Sequence, residues 1–227
     1  LHNQEVIEVK QMTAKEEDIL TSRSLLKQGV AIDRVLQSIV MDPRVDVSSL
    51  LVGDRNAIII SCRVSGYGSD YTTKITCPAC EAKNEYTFDL NEAVVTSGDL
   101  NNVTENGDGT FNTVLPKSNL SVDFRLLTGR DEKFLTQGQT TKNKNKSDRI
   151  ITTQLRGMLV SVNDNDTAEA LNYVANNLPS MDSKYLRDVY KNTQPNIDLT
   201  QHYQCDECGY EVEMEVPLTA DFFWPNS

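Results

Sequence analysis

Cys77-Pro78-Ala79-Cys80 and Cys205-Asp206-Glu207-Cys208-Gly209 decide how this chain is read. Each is a Cys-x-x-Cys pair, and each is flanked on both sides by strand-like sequence. Tyr86, Phe88 and Leu90 alternate after the first pair. Tyr210, Val212, Met214 and Val216 alternate strictly with Glu211, Glu213 and Glu215 after the second. Period-two alternation is the mark of a half-buried strand, so each pair is predicted to sit at the tip of a hairpin. Gly209 suits a knuckle that needs positive φ. A two-residue spacer lets one tight turn offer two sulfurs to one ion, and four soft thiolates fill the tetrahedral sphere of Zn2+. The reading favoured is therefore one structural zinc held by Cys77, Cys80, Cys205 and Cys208. Two others stay open: a redox or disulfide role, and two unrelated turns. Cys80 and Cys205 stand 125 positions apart, so the fold itself must bring the knuckles together. His202 lies beside the second pair but reads as a strand residue, because four sulfurs already suffice. Cys62 is left over in an apolar run.

Around the knuckles the chain reads as helices and hairpins. Thr13-Ala14-Lys15-Glu16 is a capping box, opening a helix with Ile19, Leu20, Leu25 and Leu26 that stops near Gly29. A second helix from about Val30 to Met41 places Ile32, Val35, Leu36 and Ile39 on one face before Asp42-Pro43. Leu50 and Leu51 form a turn, and Asp54 caps a segment reaching Val64, favoured as helix over strand. Residues 91–110 read as loop and turn. An EF-hand register through Asn106, Asp108 and Gly109 puts Thr104 and Leu115 where carboxylates are needed, so it is set aside. Phe111 to Leu115 and Leu120 to Leu127 read as a hairpin around residues 116–119. A helix starts at Thr128–Leu135, and a polar loop follows from Gln137 to Lys146 with Lys142, Lys144 and Lys146. Helices are expected at 147–161, 167–177 and 180–192, the last broken by Pro195. Phe222, Phe223 and Trp224 close the core or form a partner-binding plug.

The expected fold is thus α+β, a helical bundle-like body with a small antiparallel zinc-ribbon element. Four regions are marked out: 1–69 helical, 70–128 with the first knuckle and hairpins, 129–200 helical, and 201–227 with the second knuckle and the aromatic segment. They are expected to intertwine as one domain.

Twenty-two Lys and Arg face 33 Asp and Glu, a formal net charge of -11. Acidity of this size argues against nucleic acid as the main partner. No apolar stretch approaches the ~20 residues of a bilayer span, and Leu1-His2-Asn3-Gln4-Glu5 does not read as a signal peptide. There is no P-loop, Gly-x-Ser-x-Gly, Gly-x-Gly-x-x-Gly or His-Glu-x-x-His, and neither His2 nor His202 sits by a plausible nucleophile. A non-enzymatic role is expected.

Several stretches together resemble the baseplate proteins of T4-like contractile-tailed phages, the hub subunits and hub assembly factors. They are Ser24-Leu25-Leu26-Lys27-Gln28-Gly29, Leu51-Val52-Gly53-Asp54-Arg55-Asn56-Ala57, Tyr67-Gly68-Ser69-Asp70-Tyr71, Leu115-Pro116-Lys117-Ser118, Leu127-Thr128-Gly129-Arg130-Asp131-Glu132-Lys133, and Pro217-Leu218-Thr219-Ala220-Asp221-Phe222-Phe223-Trp224-Pro225, with the two Cys-x-x-Cys pairs in order among them. The resemblance implies a structural or assembly component of the baseplate hub in a T4-like myovirus. It would bind other hub or tail proteins, in the host cytoplasm during assembly or in the virion tail. It carries no catalytic residues over. The competing class is a zinc-ribbon adaptor on nucleic acid or transcription machinery, which calls for a basic, aromatic-studded face; Glu211, Glu213 and Glu215 oppose it.

Overall fold

The computed structural model describes residues 6–140, 150–217 and Phe222. It is α+β and divides into two compact units. One comprises the N-terminal residues to Val47, Arg55–Thr96 and the chain from Asn196. The other comprises Ser48–Asp54 and Ser97–Pro195. Among the described residues no helix is long and apolar enough to cross a membrane.

The first unit opens with α1 (Ala14–Thr21), α2 (Arg23–Gln28) and α3 (Ala31–Ile39). Glu16 reaches back to the Thr13 N–H at 2.9 Å, as the capping box requires. The single helix expected to Gly29 is in fact two, parted at Ser22, whose ψ of 105° is extended. The physical cause is local. The Thr21 hydroxyl bonds back to the carbonyls of Glu17 and Asp18 at 3.0 and 3.3 Å, a contact that competes with the helical ladder. Gly29, at φ 67°, closes α2 in the left-handed conformation. In α3 the residues Val35, Leu36 and Ile39 are buried, as their spacing predicts.

Helix α4 (Val52–Tyr67) takes the β-branched run as helix. Its Arg63 is fully buried, and its guanidinium donates to the carbonyls of Phe222, Gly68 and Asp70 at 2.7, 2.6 and 2.9 Å. Three carbonyls satisfy a charge that burial would otherwise penalise. Strands β1 (Asp70–Thr76) and β2 (Lys83–Asp89) form an antiparallel hairpin. β3 (Val94–Thr96) pairs antiparallel with β8 (Asn196–Asp198), and β9 (Thr200–Gln204) with β10 (Glu211–Glu215). The core of this unit joins Leu20, Val35, Ile60, Tyr71, Phe88 and Tyr203 with Phe222, which is buried edge-on against Tyr71 at 5.2 Å. Phe223 and Trp224 lie outside the described residues.

The second unit holds an antiparallel sheet in the order β4-β5-β6-β7, from Thr104–Glu105, Thr110–Val114, Ser121–Arg125 and Leu159–Val162. Helices α5 (Gly129–Thr140), α6 (Ile150–Met158), α7 (Ala168–Asn177) and α8 (Ser180–Thr193) complete it. Val122, Phe124, Leu155, Met158, Leu186 and Tyr190 share its core. Buried Asp182 of α8 accepts the N–H groups of Lys117 and Ser118 at 2.8 and 2.9 Å, fixing the β5–β6 turn.

Three expectations are corrected here. Residues 159–161 are strand, because Leu159 to Val162 adds an edge to the sheet by pairing with β6. Residues 94–96 and 104–105 are strand within the stretch expected to be loop, the former because a partner lies a hundred positions on. Residues 137–140 continue α5; 141–149, including the three lysines, lie outside the described residues.

Candidate metal centre

Both knuckles are built by the same backbone bonds. In the first, Cys77 N–H donates to Ala82 O at 2.8 Å and Glu81 N–H to Cys77 O at 2.9 Å. In the second, Cys205 N–H donates to Tyr210 O and Gly209 N–H to Cys205 O, both at 2.9 Å. The offsets are identical, and the residue after the second cysteine is left-handed in each case: Glu81 at φ 59° and Gly209 at φ 70°. Gly209 reaches this region without a Cβ penalty, and Glu81 does not.

The hairpins are locked by contacts between their strands. Buried Gln201 accepts from Asp89 N–H at 3.2 Å and donates to Asp89 O at 2.7 Å. Tyr86 hydroxyl donates to His202 O at 3.1 Å, and its ring meets Tyr203 at 5.1 Å in a T-shaped contact. The knuckles thereby bring Cys77, Cys80, Cys205 and Cys208 to one point, with all four Sγ atoms within 4.8 Å of one another.

Cys77 Sγ is 3.8 Å from Cys208 Sγ, and Cys80 Sγ is 3.8 Å from Cys205 Sγ. A disulfide would need about 2.05 Å, so these sulfurs are unbonded. Four sulfurs set about 2.3 Å from a central ion in a tetrahedron are about 3.8 Å apart. The donor set and its spacing fit a metal ion. Cys77 and Cys205 are 0% and 1% exposed, whereas Cys80 and Cys208 face solvent.

The sulfurs differ in their tendency to ionise. Against the lowering by the Ala82 N–H, the neighbouring Cys208 thiol and burial push Cys80 up to about 12. Against the Tyr210 N–H, burial with the Cys205 and Cys77 thiols raises Cys208, while Cys205 is lowered. Ala79 N–H donates to Cys77 Sγ at 3.4 Å. Asn84 Nδ2 adds a donor to Cys205 Sγ at 3.2 Å. Hydrogen bonds to the charged form favour it. The N–H of Cys208, and after it that of Glu207, draws the Cys205 thiol down to about 6. Asn84 and Gln201 carry no signature in the sequence. They are polar residues on hairpin strands, and only the meeting of the hairpins gives them a role.

His202 is solvent-facing on β9, its side chain 55% exposed and its Nδ1 3.5 Å from a Glu213 carboxylate oxygen; it is outside the cluster. Cys62 is buried in α4, where desolvation pushes its thiol up to about 11. Among the described residues the four cysteines form the only group of three or more His, Cys, Asp or Glu placed to hold a metal.

No curated protein and no solved structure gives a significant match to this chain. A family model described as T4 bacteriophage base plate protein matches residues 1–224. The match runs through both units and both knuckles, and the chain belongs to the T4 bacteriophage base plate protein family.

Proposed function

We propose that this base plate protein is a structural or assembly component of the tail hub, working by protein–protein binding, with one structural Zn2+ held by Cys77, Cys80, Cys205 and Cys208. The observation that carries the metal reading is that four sulfurs from two distant turns meet within 4.8 Å of one another, at the spacing a tetrahedral ion requires. All-thiolate tetrahedral sites take zinc or iron, and zinc needs no redox partner. Four thiolates close the sphere and leave no place for water or substrate, so the ion's role is to hold the hairpins. The exposed face of β10 carries Glu211, Glu213 and Glu215, which opposes a nucleic-acid phosphate backbone. On this reading the protein acts in the infected cell's cytoplasm during assembly, and as a retained subunit it would remain in the tail.

Elemental analysis of the purified chain tests the metal: one zinc per chain is expected, and a metal-free protein with native stability refutes it. Probing purified tails and hub assembly intermediates for the chain tests the role. Presence in tails marks a retained subunit, presence only in intermediates marks an assembly factor, and absence from both refutes the hub reading.

A further inference from the structure

The unit formed by Ser97–Pro195 and Ser48–Asp54 contains a cleft of about 440 Å³, within the size range of functional pockets. Its apolar surface comes from Leu51, Leu100, Phe111 and Leu126, and Glu105 and Asp108 stand among its lining residues, both exposed. Leu100 is 46% exposed.

The wall carrying Leu100 is held in place. Gly98 sits at φ 89°, and a Cβ there would come within 2.3 Å of Thr193 O. That approach lets Asp99 N–H donate to Asn192 O at 2.7 Å, and Thr113 hydroxyl ties Asn102 O to β5 at 3.0 Å. The cleft is therefore preformed, and a ligand need not spend binding energy on ordering it.

Its charge is one-sided. Arg125 also lines the cleft, but Asp131 already grips it with two bonds of 2.8 and 2.7 Å. The carboxylates of Glu105 and Asp108 remain. Asp108 Oδ1 accepts both the N–H and the hydroxyl of Thr110, at 2.9 and 2.6 Å, so the carboxylate is fixed in direction. An apolar surface beside two carboxylates complements a side chain that is a methylene stem with a cationic head. The chain's own charge of -11 favours a basic partner as well.

We infer that this cleft docks a basic segment of a neighbouring base plate protein, with the stem of one lysine or arginine against Leu100, Phe111 and Leu126 and its head group at Glu105 and Asp108. The inference rests on the base plate reading and is independent of the thiolate cluster.

A photoreactive benzoylphenylalanine at Ser97, on the rim of the cleft, tests it in the full chain during base plate assembly. Incorporation of the chain into base plates is measured first, and its failure counts against the base plate reading alone. In base plates that contain the chain, irradiation is expected to join Ser97's position to a partner peptide bearing Lys or Arg. The yield is expected to fall about tenfold in E105Q/D108N, with its melting temperature unchanged. Several results overturn the docking site: no cross-link, one to an acidic segment or to a second copy of this chain, or a yield unaffected by the double substitution. Amide shifts around the cleft with 1 mM spermidine, in the absence of any protein cross-link, overturn it in favour of a free polyamine.

Discussion

Replacing a single sulfur of the cluster separates a metal's contribution from ordinary packing, because the cluster has two buried and two exposed members. Cys80→Ser removes an exposed ligand and Cys205→Ser a buried one. Structural zinc contributes an apparent 10–16 kcal/mol in small zinc domains, or about 2.5–4 kcal/mol per sulfur. A second route gives a similar scale. Clasping a loop of 125 residues removes about 5 kcal/mol of chain entropy from the unfolded state. In the presence of zinc both variants should therefore lose about 3 kcal/mol in the unit that carries the thiolates. For a unit of about 120 residues that lowers its melting temperature by about 12 °C. Without zinc the two should part. Cys80→Ser should be within about 0.5 kcal/mol of the metal-free parent. Cys205→Ser should still cost about 1 kcal/mol, because a hydroxyl takes the place of a buried sulfur beside Asn84. The assay is urea or thermal unfolding at fixed free zinc, each variant measured with and without a strong chelator. Since the chain has two compact units, the transitions are followed separately. If the parent and Cys80→Ser unfold alike in both conditions, the sulfurs do not hold a metal and the reasoning fails.

Asn84→Ala removes an amide donor aimed at Cys205 Sγ and should weaken zinc binding by about 10–100-fold, measured by competition with a chromophoric chelator, while the cysteines stay unchanged. The knuckle residues Glu81 and Gly209 should respond in opposite senses. Gly209→Ala has open space around its new Cβ, so its expected loss of about 1 kcal/mol is backbone strain alone, and Glu81→Gly should gain a similar amount; chemical denaturation reads both. Burial would raise the carboxyl of Glu16, but bonds from Ser38 and Thr13 and the charge of Lys10 bring it down to about 2. A depressed carboxyl stabilises the fold above its unfolded value near 4.3, and that contribution disappears as pH falls toward 2. Glu16→Gln should flatten this part of the acid limb in unfolding experiments between pH 5 and 2.

The parts of the fold legible in the sequence are those set by local periodicity. Alternation alone placed β2 and β10, the capping box placed α1, and the spacing of Val35, Leu36 and Ile39 placed α3. The four sulfurs were legible because a metal-ligand spacing is itself local, and only their meeting needed coordinates. What could not be read depends on partners far along the chain. Val94-Val95-Thr96 becomes a strand only because Asn196-Ile197-Asp198 lies beside it, and Leu159 to Val162 leaves the helical pattern of α6 because β6 offers it an edge. Arg63 reads as an interruption in an apolar run until three carbonyls surround it. Asn84 and Gln201 are the same lesson at the site, since both act across the junction of two hairpins.

The pairing of β3 with β8 also says how the chain is built. Residues 97–195 leave the thiolate-bearing unit at Thr96 and return at Asn196, and these two residues are register partners, with the Thr96 hydroxyl donating to Asn196 O at 3.0 Å. A stretch whose ends are already paired has the topology of an insertion, and its removal needs only a hairpin turn. Joining Thr96 to Asn196 through Asn-Gly, the residues a type I′ turn requires, should leave a protein that folds with one zinc. Leu50→Ser and Leu51→Ser go with the excision, since both leucines are buried and Leu51 belongs to the other unit's core. The loop between Cys80 and Cys205 then falls from 125 residues to about 28, which makes it about 1.3 kcal/mol easier to close in the unfolded chain. Chelation should accordingly cost the shortened protein about 1 kcal/mol less than it costs the parent. Circular dichroism and metal content decide the matter. A shortened chain that binds no zinc would show that the hairpins need residues 97–195 in order to meet, and the clasp would then be a consequence of the insertion's fold.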